Sequence, residues 1–147
     1  MMDHLITVIA AGIGSTGFAF LFNAKKSQIL CAAVSGLAVG TLFLLLSSGY
    51  GSLLLNNMIC AMFVTAYAET FARWMKAPSS VFLLPAIIPL VPGGYLYYAM
   101  YGMVTGEKAA AWENAYATMI TGIGIAMGVL VISVIVTGMD MFRKSNA

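Results

Sequence analysis

Long apolar runs separated by short polar segments follow one another along the whole chain. Five runs are long enough to form membrane-crossing helices, at residues 5–22, 29–46, 53–72, 81–104 and 115–139. A helix of about 20 residues, at 1.5 Å per residue, crosses about 30 Å of hydrocarbon. The sequence lacks the short alternating segments that are typical of transmembrane strands. The pattern therefore predicts an all-α membrane protein, a five-transmembrane-helix bundle in a single domain covering residues 1–147.

The composition is that of a chain whose surface faces lipid. Hydrophobic residues make up 61% of the chain and charged residues only 8%, whereas soluble domains carry about 25% charged residues. The net charge of +2 comes from scattered residues, so nucleic acid is not an expected partner. Cys31 and Cys60 lie within apolar runs without metal-ligand spacing, which favours buried thiols. We expect no metal site and no cofactor.

The basic residues are distributed unevenly between the two sides of the predicted helices. Six of the seven follow the first, third or fifth run: Lys25, Lys26, Arg73, Lys76, Arg143 and Lys144. Lys108 falls on the other side, between Glu107 and Glu113. Basic residues favour the cytoplasmic side during insertion. The pattern therefore predicts an outside N-terminus, a cytoplasmic C-terminus and an odd number of spans.

Small residues recur at helical spacing within the runs, as at Gly36 with Gly40 and Gly124 with Gly128. In lipid, helices associate through close packing, so we expect these glycines to face neighbouring helices. Residues 12–17 (GIGSTG) formally match a dinucleotide-binding fingerprint. Because no strand precedes them and no βαβ unit surrounds them, we interpret them as packing residues too.

The fourth run is interrupted by proline and glycine. Three prolines lie between Pro85 and Pro92, and Gly93 and Gly94 follow directly. A proline inside a helix removes a backbone hydrogen bond, and unsatisfied backbone groups cannot face lipid. The break is therefore expected to line a hydrated path, as in many transporters, with a kink that only shapes packing as the alternative. The candidate path residues are Pro89, Pro92, Gly93, Gly94, Tyr95 and Tyr98.

Glu69 is an acidic residue well within an apolar run, and it has two interpretations. Intramembrane carboxylates often carry protons or ions, which makes Glu69 the candidate coupling residue. Arg73 stands at i+4, however, and favours a salt-bridged carboxylate near the cytoplasmic end.

Other polar and aromatic residues also leave alternatives open. Four tyrosines after the break either form a cavity wall or belong to an aromatic belt at the outer interface: Tyr95, Tyr97, Tyr98 and Tyr101. Asn23, Asn56 and Asn57 are interpreted as capping or turn residues. The sequence offers no nucleophile–base pair, metal cluster or paired carboxylates, so we do not expect an enzyme.

Three motifs together carry a resemblance to a known family. They are residues 17–23 (GFAFLFN), residues 72–74 (ARW) with Pro78, and residues 89–93 (PLVPG). In combination they resemble the threonine/serine exporter family, specifically the small five-span subunit that corresponds to the C-terminal half of the fused exporters. The resemblance implies export of small polar metabolites across the cytoplasmic membrane, namely threonine and serine or, for some split-subunit members, dicarboxylates such as succinate.

The resemblance also implies a larger polytopic partner subunit, similar to the N-terminal half of the fused proteins. Physical reasoning agrees, because five helices can barely surround a hydrated path and the chain has few intramembrane charges. We therefore expect hetero-oligomerisation, self-association or both. The alternative hypothesis is a non-transporting membrane scaffold or assembly subunit for a larger membrane protein. A channel is a third hypothesis, although no ring of charge is visible.

Overall fold

The chain folds into helices joined by short turns. A computed structural model describes the backbone of residues 2–49 and 51–145 and the side chains of residues 4–49 and 51–142. Its elements are α1 (Met2–Leu21), α2 (Lys26–Ser47), α3 (Leu53–Met75), α4 (Ser80–Ile87), a 3₁₀ turn (Ile88–Leu90), α5 (Gly93–Thr105) and α6 (Lys108–Ser145). No strand occurs in the described ranges. The predicted all-α class is confirmed.

Within the described residues, three helices are individually long and apolar enough to cross a membrane, over His4–Leu21, Lys26–Ser47 and Lys108–Phe142. Ser80–Leu90 and Gly93–Thr105 qualify only together, as a pair bent by 50°. α3 is long enough, since its 23 residues extend about 34 Å. It is not among the apolar candidates, because polar residues such as Asn56 and Glu69 lower its mean hydropathy. Five crossings therefore stay a prediction.

The turns between helices differ in part from those expected. α6 begins at Lys108, whereas the fifth predicted run begins at residue 115, so the prediction that residues 105–114 form a linker between two helices was wrong for residues 108–114. Gly106 adopts a left-handed φ of 84°, which ends α5 and turns the chain within two residues. Asn23 and Lys76 also have positive φ, at 53° and 49°. Asn23 thus forms a turn after α1, as predicted.

α1 and α2 form an antiparallel hairpin held together by small residues. A Cβ atom built on Gly36 would lie 2.7 Å from the carbonyl oxygen of Ala11, and one on Gly40 would lie 3.0 Å from the Ala11 Cβ. Gly12 packs similarly close to Leu37. These contacts confirm that Gly36 and Gly40 allow close helix packing. Within the GIGSTG segment, Gly12 and Ser15 face α2, whereas a Cβ atom on Gly14 or Gly17 would meet nothing within 4 Å.

α3 and α6 run side by side in the same direction. Their contacts join residues that are 67 positions apart in the chain: Asn57 with Gly124, Ala61 with Gly128, and Arg73 with Asp140. A constant separation means that the two helices are parallel and in register. The chain between Met75 and Lys108 must consequently travel back along them, and α4, the 3₁₀ turn and α5 provide that return.

The core lies where α4 and the 3₁₀ turn pack against α2 and α3. Its buried residues are mostly small: Val39, Cys60, Ala61, Val64, Ala86 and Leu90. A second cluster contains Cys31, Ala68, Ala72 and Phe82. The Tyr67 hydroxyl donates a 2.9 Å hydrogen bond to the Cys31 carbonyl oxygen, which joins the end of α3 to the start of α2. Both cysteines are buried, as the sequence predicted.

Candidate functional site

The break between α4 and α5 turns the chain by 50°. The α-helix ends at Ile87, and after the 3₁₀ turn Val91 is extended, with φ −62° and ψ 127°. Pro89 and Pro92 lack backbone N–H groups, so they cannot continue the helical hydrogen-bond ladder. α5 then begins at Gly93 with Pro92 at its N-cap. α5 packs against α6, and its first residues, Gly93, Gly94 and Tyr95, are exposed.

A cavity of about 330 Å³ adjoins this break. It is bounded by the break itself, the end of α2, the start of α3 and the first half of α6. The lining residues are Phe43, Leu53, Asn57, Pro89, Leu90, Val91, Pro92, Gly93, Gly94, Tyr95, Tyr98, Asn114 and Thr121. All six candidate path residues are brought together here. Their role in transport stays a prediction, but in the fold all six line the same cavity.

Three polar side chains enter the same cavity wall from α3 and α6. Asn57 is 2% exposed, and its Nδ2 donates a 2.8 Å hydrogen bond to the Leu53 carbonyl oxygen. Asn114 makes the equivalent 2.8 Å bond to Ala110. Both amides therefore keep a carbonyl oxygen without a hydrogen bond to the described residues. The Thr121 hydroxyl is buried and has no partner in the described part of the chain.

The start of α5 contributes backbone donors to the cavity. The Gly93 N–H donates to Val91, and the Leu96 N–H donates to Pro92. The N–H groups of Gly94 and Tyr95 make no such bond within the described residues. A Cβ atom on Gly93 or Gly94 would meet nothing within 4 Å. The cavity thus reaches the backbone at a helix N-terminus, where the helix dipole is positive.

None of the cavity's lining residues is charged. Glu69 is half-buried on α3, 12 residues beyond Asn57 and so about 18 Å away along the helix. Its expected pairing with Arg73 was wrong. Arg73 Nη2 instead lies 2.9 Å from Asp140 Oδ2, because the parallel register of α3 and α6 places Asp140 across from it.

The predicted topology determinants gather at one end of the bundle. Lys25 and Lys26 stand at the start of α2, and Arg73 and Lys76 at the end of α3. These ends meet because α2 and α3 are antiparallel: Cys31 clusters with Ala68, and Val39, further along α2, clusters with Cys60, further back on α3. The side chains of Arg143 and Lys144 lie outside the described residues.

The tyrosines after the break divide into two pairs. Tyr95 and Tyr98 line the cavity. Tyr97 and Tyr101 stack on each other, with ring centroids 6.2 Å apart, and remain more than half exposed. Tyr95 and Tyr98 thus form part of a cavity wall, and an aromatic belt that includes Tyr97 and Tyr101 stays a prediction.

Sequence reasoning missed the three polar cavity residues on α3 and α6. Asn57 is not a cap: the Ser52 hydroxyl accepts from the Leu55 N–H at the start of α3, and Asn57 lies buried in the second helical turn. Asn114 belongs to α6 and not to a linker. Asn114 and Thr121 are seven residues apart and so share a helix face, which is the signal that could have identified them.

A comparison with protein families identifies the chain's relatives. The family model described as Threonine/Serine exporter, ThrE, matches residues 7–135. The chain belongs to this family. The match to the threonine/serine exporter family includes the whole cavity and nearly all of the helices. Membership and the apolar helices together identify a multi-pass membrane protein of export-type transport. No solved structure matches the chain.

Proposed function

We propose that this chain is a subunit of a secondary transporter that exports small amino acids, threonine and serine, or small organic acids across the cytoplasmic membrane. The observation that carries the proposal is the cavity at the α4–α5 break, in which backbone donors meet Asn57, Asn114 and Thr121. Intramembrane polar groups of this kind are costly unless they serve a ligand or water. The chain would act by moving its substrate, without covalent chemistry.

The parallel register of α3 and α6 supports five spans with a broken fourth. Two adjacent parallel helices require the intervening chain to return to the starting side of the membrane. α4 and α5 make this return as one bent unit, which favours a crossing segment over a re-entrant loop. α3 crosses with its polar side chains turned largely inward, since Asn56, Asn57 and Thr65 are buried.

The proposed orientation places the N-terminus outside and the C-terminus in the cytoplasm. It rests on the basic cluster at the α2 start and α3 end, because such residues favour the cytoplasmic side. In this orientation the cavity lies toward the outer side, since it is built from the opposite ends of α2 and α3.

A second subunit is part of the proposal. Tyr95 and Tyr98 line the cavity yet are 41% and 58% exposed, so one wall of the cavity is incomplete in the isolated chain. A larger polytopic exporter subunit, a second copy of this chain or both would complete it. Glu69 is proposed as the residue that couples flux to protons, because it is half-buried and unpaired within the described residues.

Export is tested by deleting the gene, alone and together with that of its presumed large partner. Cells are loaded with threonine-containing or serine-containing dipeptides, or with succinate, and the intracellular pools are measured. We expect the deletion strains to retain at least one of these metabolites. If the intracellular pools of threonine, serine and succinate are the same in the deletion strains as in the parent strain, the proposed substrates are wrong.

The double variant Pro92→Ala/Gly93→Leu separates transport from scaffolding. A Leu at residue 93 would extend into open space, so folding and partner assembly should survive while the cavity fills. We expect the variant to lose export, while a pull-down still recovers the complex with its partner subunit. Loss of the partner with no separate effect on flux would favour the scaffold alternative. Gly138→Ala is the matched control, because a Cβ there also meets nothing within 4 Å.

A further inference from the structure

The cavity at the break contains an unused hydrogen-bonding side chain. Thr121 is 2% exposed, lines the cavity, and its hydroxyl has no partner in the described residues. Other helix threonines, such as Thr118, Thr65 and Thr41, donate to the carbonyl oxygen four residues earlier. A buried hydroxyl without a partner costs about 1–3 kcal/mol. Thr121 is therefore available to a molecule bound in the cavity.

The start of α5 provides the complementary recognition element. The Gly94 and Tyr95 N–H groups make no hydrogen bond to the described residues, α5 has 13 residues, and a Cβ atom on Gly94 would meet none of the described atoms within 4 Å. Such helix starts bind carboxylates, because the N–H groups and the helix dipole both favour negative charge. Because Thr121 lines the same space, a ligand can reach both elements at once.

The charge of the cavity restricts the ligand. Since no charged side chain among the described residues lines the cavity, a dicarboxylate would bring two negative charges into a site with only partial positive charge. Burying uncompensated charge is expensive. A zwitterion has no net charge, and its ammonium group can donate to the Asn57 amide oxygen, which makes no hydrogen bond to the described residues. A cavity of about 330 Å³ is at the small end of ligand sites, which suits a molecule of this size.

We infer that the cavity binds a small zwitterion, with its carboxylate at the Gly94 and Tyr95 N–H groups and its polar side chain at Thr121. Asn57, which packs against Gly124 one helical turn from Thr121, receives the ammonium group. This assignment rests on the proposed function, because it takes the transported molecule as the ligand. It goes further by placing carboxylate recognition on the backbone of this chain and by excluding a dicarboxylate from the cavity.

The first test compares ligands on the solubilised protein, purified with any polytopic subunit that accompanies it. Binding of radiolabelled L-threonine is measured in competition with L-threonine amide, L-threoninol and succinate. The amide and the alcohol keep the ammonium group and side chain but lack the carboxylate. We expect both to compete at least tenfold more weakly than L-threonine, since charge-assisted hydrogen bonds are lost. Succinate should not compete.

The second test uses Thr121→Val, which keeps the side-chain shape and removes the hydroxyl. We expect about fivefold weaker L-threonine binding, corresponding to one lost hydrogen bond, and a smaller change for alanine, which has no side-chain hydroxyl. Thr118→Val is the matched control on the same helix and should leave binding unchanged.

Three outcomes would overturn the inference while leaving export itself standing. They are equal competition by L-threoninol, tight competition by succinate, or unchanged binding in Thr121→Val, each in cells that still export threonine. Absence of both L-threonine binding and any export defect in the deletion strain would instead defeat the proposed function.

Discussion

Arg73 on α3 and Asp140 on α6 form an ion pair, with Nη2 and Oδ2 2.9 Å apart. Their separation of 67 residues equals that of the glycine contacts further along the same two helices. The pair therefore closes one end of a parallel interface whose other end borders the cavity. A change in the packing of α3 against α6 would therefore alter both the ion pair and the cavity.

The ion pair should contribute little to stability. Its side chains are 46% and 52% exposed, and exposed pairs contribute about 0–1 kcal/mol. We expect Arg73→Gln and Asp140→Asn each to lower the unfolding free energy by no more than about 1 kcal/mol, measured in detergent. Arg73→Asp or Asp140→Arg alone should lower the unfolding free energy, and the double variant Arg73→Asp/Asp140→Arg should recover most of that loss. Strictly additive effects would show that the two residues do not interact.

The glycine contacts should matter more than the ion pair. A Cβ atom on Gly128 would overlap the Met58 carbonyl oxygen and lie 2.7 Å from the Ala61 Cβ. We expect Gly128→Ala to destabilise the protein by about 1–3 kcal/mol, as overpacking does, in thermal unfolding in detergent. Gly122→Ala on the same helix, where a Cβ meets nothing within 4 Å, should be neutral. Equal effects of the two changes would contradict the close packing of α3 on α6.

Membrane topology can be tested with single cysteines. Lys26→Cys and Lys108→Cys are introduced into a chain whose buried Cys31 and Cys60 are replaced by alanine. We expect a membrane-impermeant maleimide to label residue 108 in intact cells and residue 26 only after permeabilisation. The reason is that three proposed spans, α2, α3 and the single α4–α5 crossing, lie between the two positions, and an odd number of spans puts them on opposite sides. Labelling of both from the same side would overturn the five-span arrangement.

Glu69 can be separated from substrate binding. It lies about 18 Å along α3 from Asn57 and does not line the cavity, so we expect Glu69→Gln to leave L-threonine affinity unchanged. If it carries the coupling proton, export in vesicles should lose its stimulation by an imposed pH gradient. Glu113→Gln, an exposed carboxylate on α6, is the control. Undiminished stimulation in Glu69→Gln would remove Glu69 from the coupling mechanism.

The sequence predicted the part of the candidate site that lies in one continuous segment, the break between α4 and α5. Proline chemistry located the break, since the missing N–H groups of Pro89 and Pro92 interrupt a helix in any context. The residues of α3 and α6 that line the cavity together with the break could not be predicted from the sequence. Asn57 was interpreted as a capping or turn residue, and Asn114 fell just outside the predicted run at residues 115–139, because a single polar residue near the end of an apolar run has the same local pattern whether it ends a helix or lies within one.

The sequence by itself determined the class of protein, the helical content and the small-residue faces, because these follow from transfer free energy and helix periodicity, which are local. The tertiary structure alone decided which helices are neighbours. Because α3 and α6 are parallel and in register, Arg73 forms its ion pair with Asp140 and not with Glu69. The packing of these helices also places Asn57 and Thr121 beside the start of α5. Such contacts depend on how whole helices pack, and no local pattern encodes them.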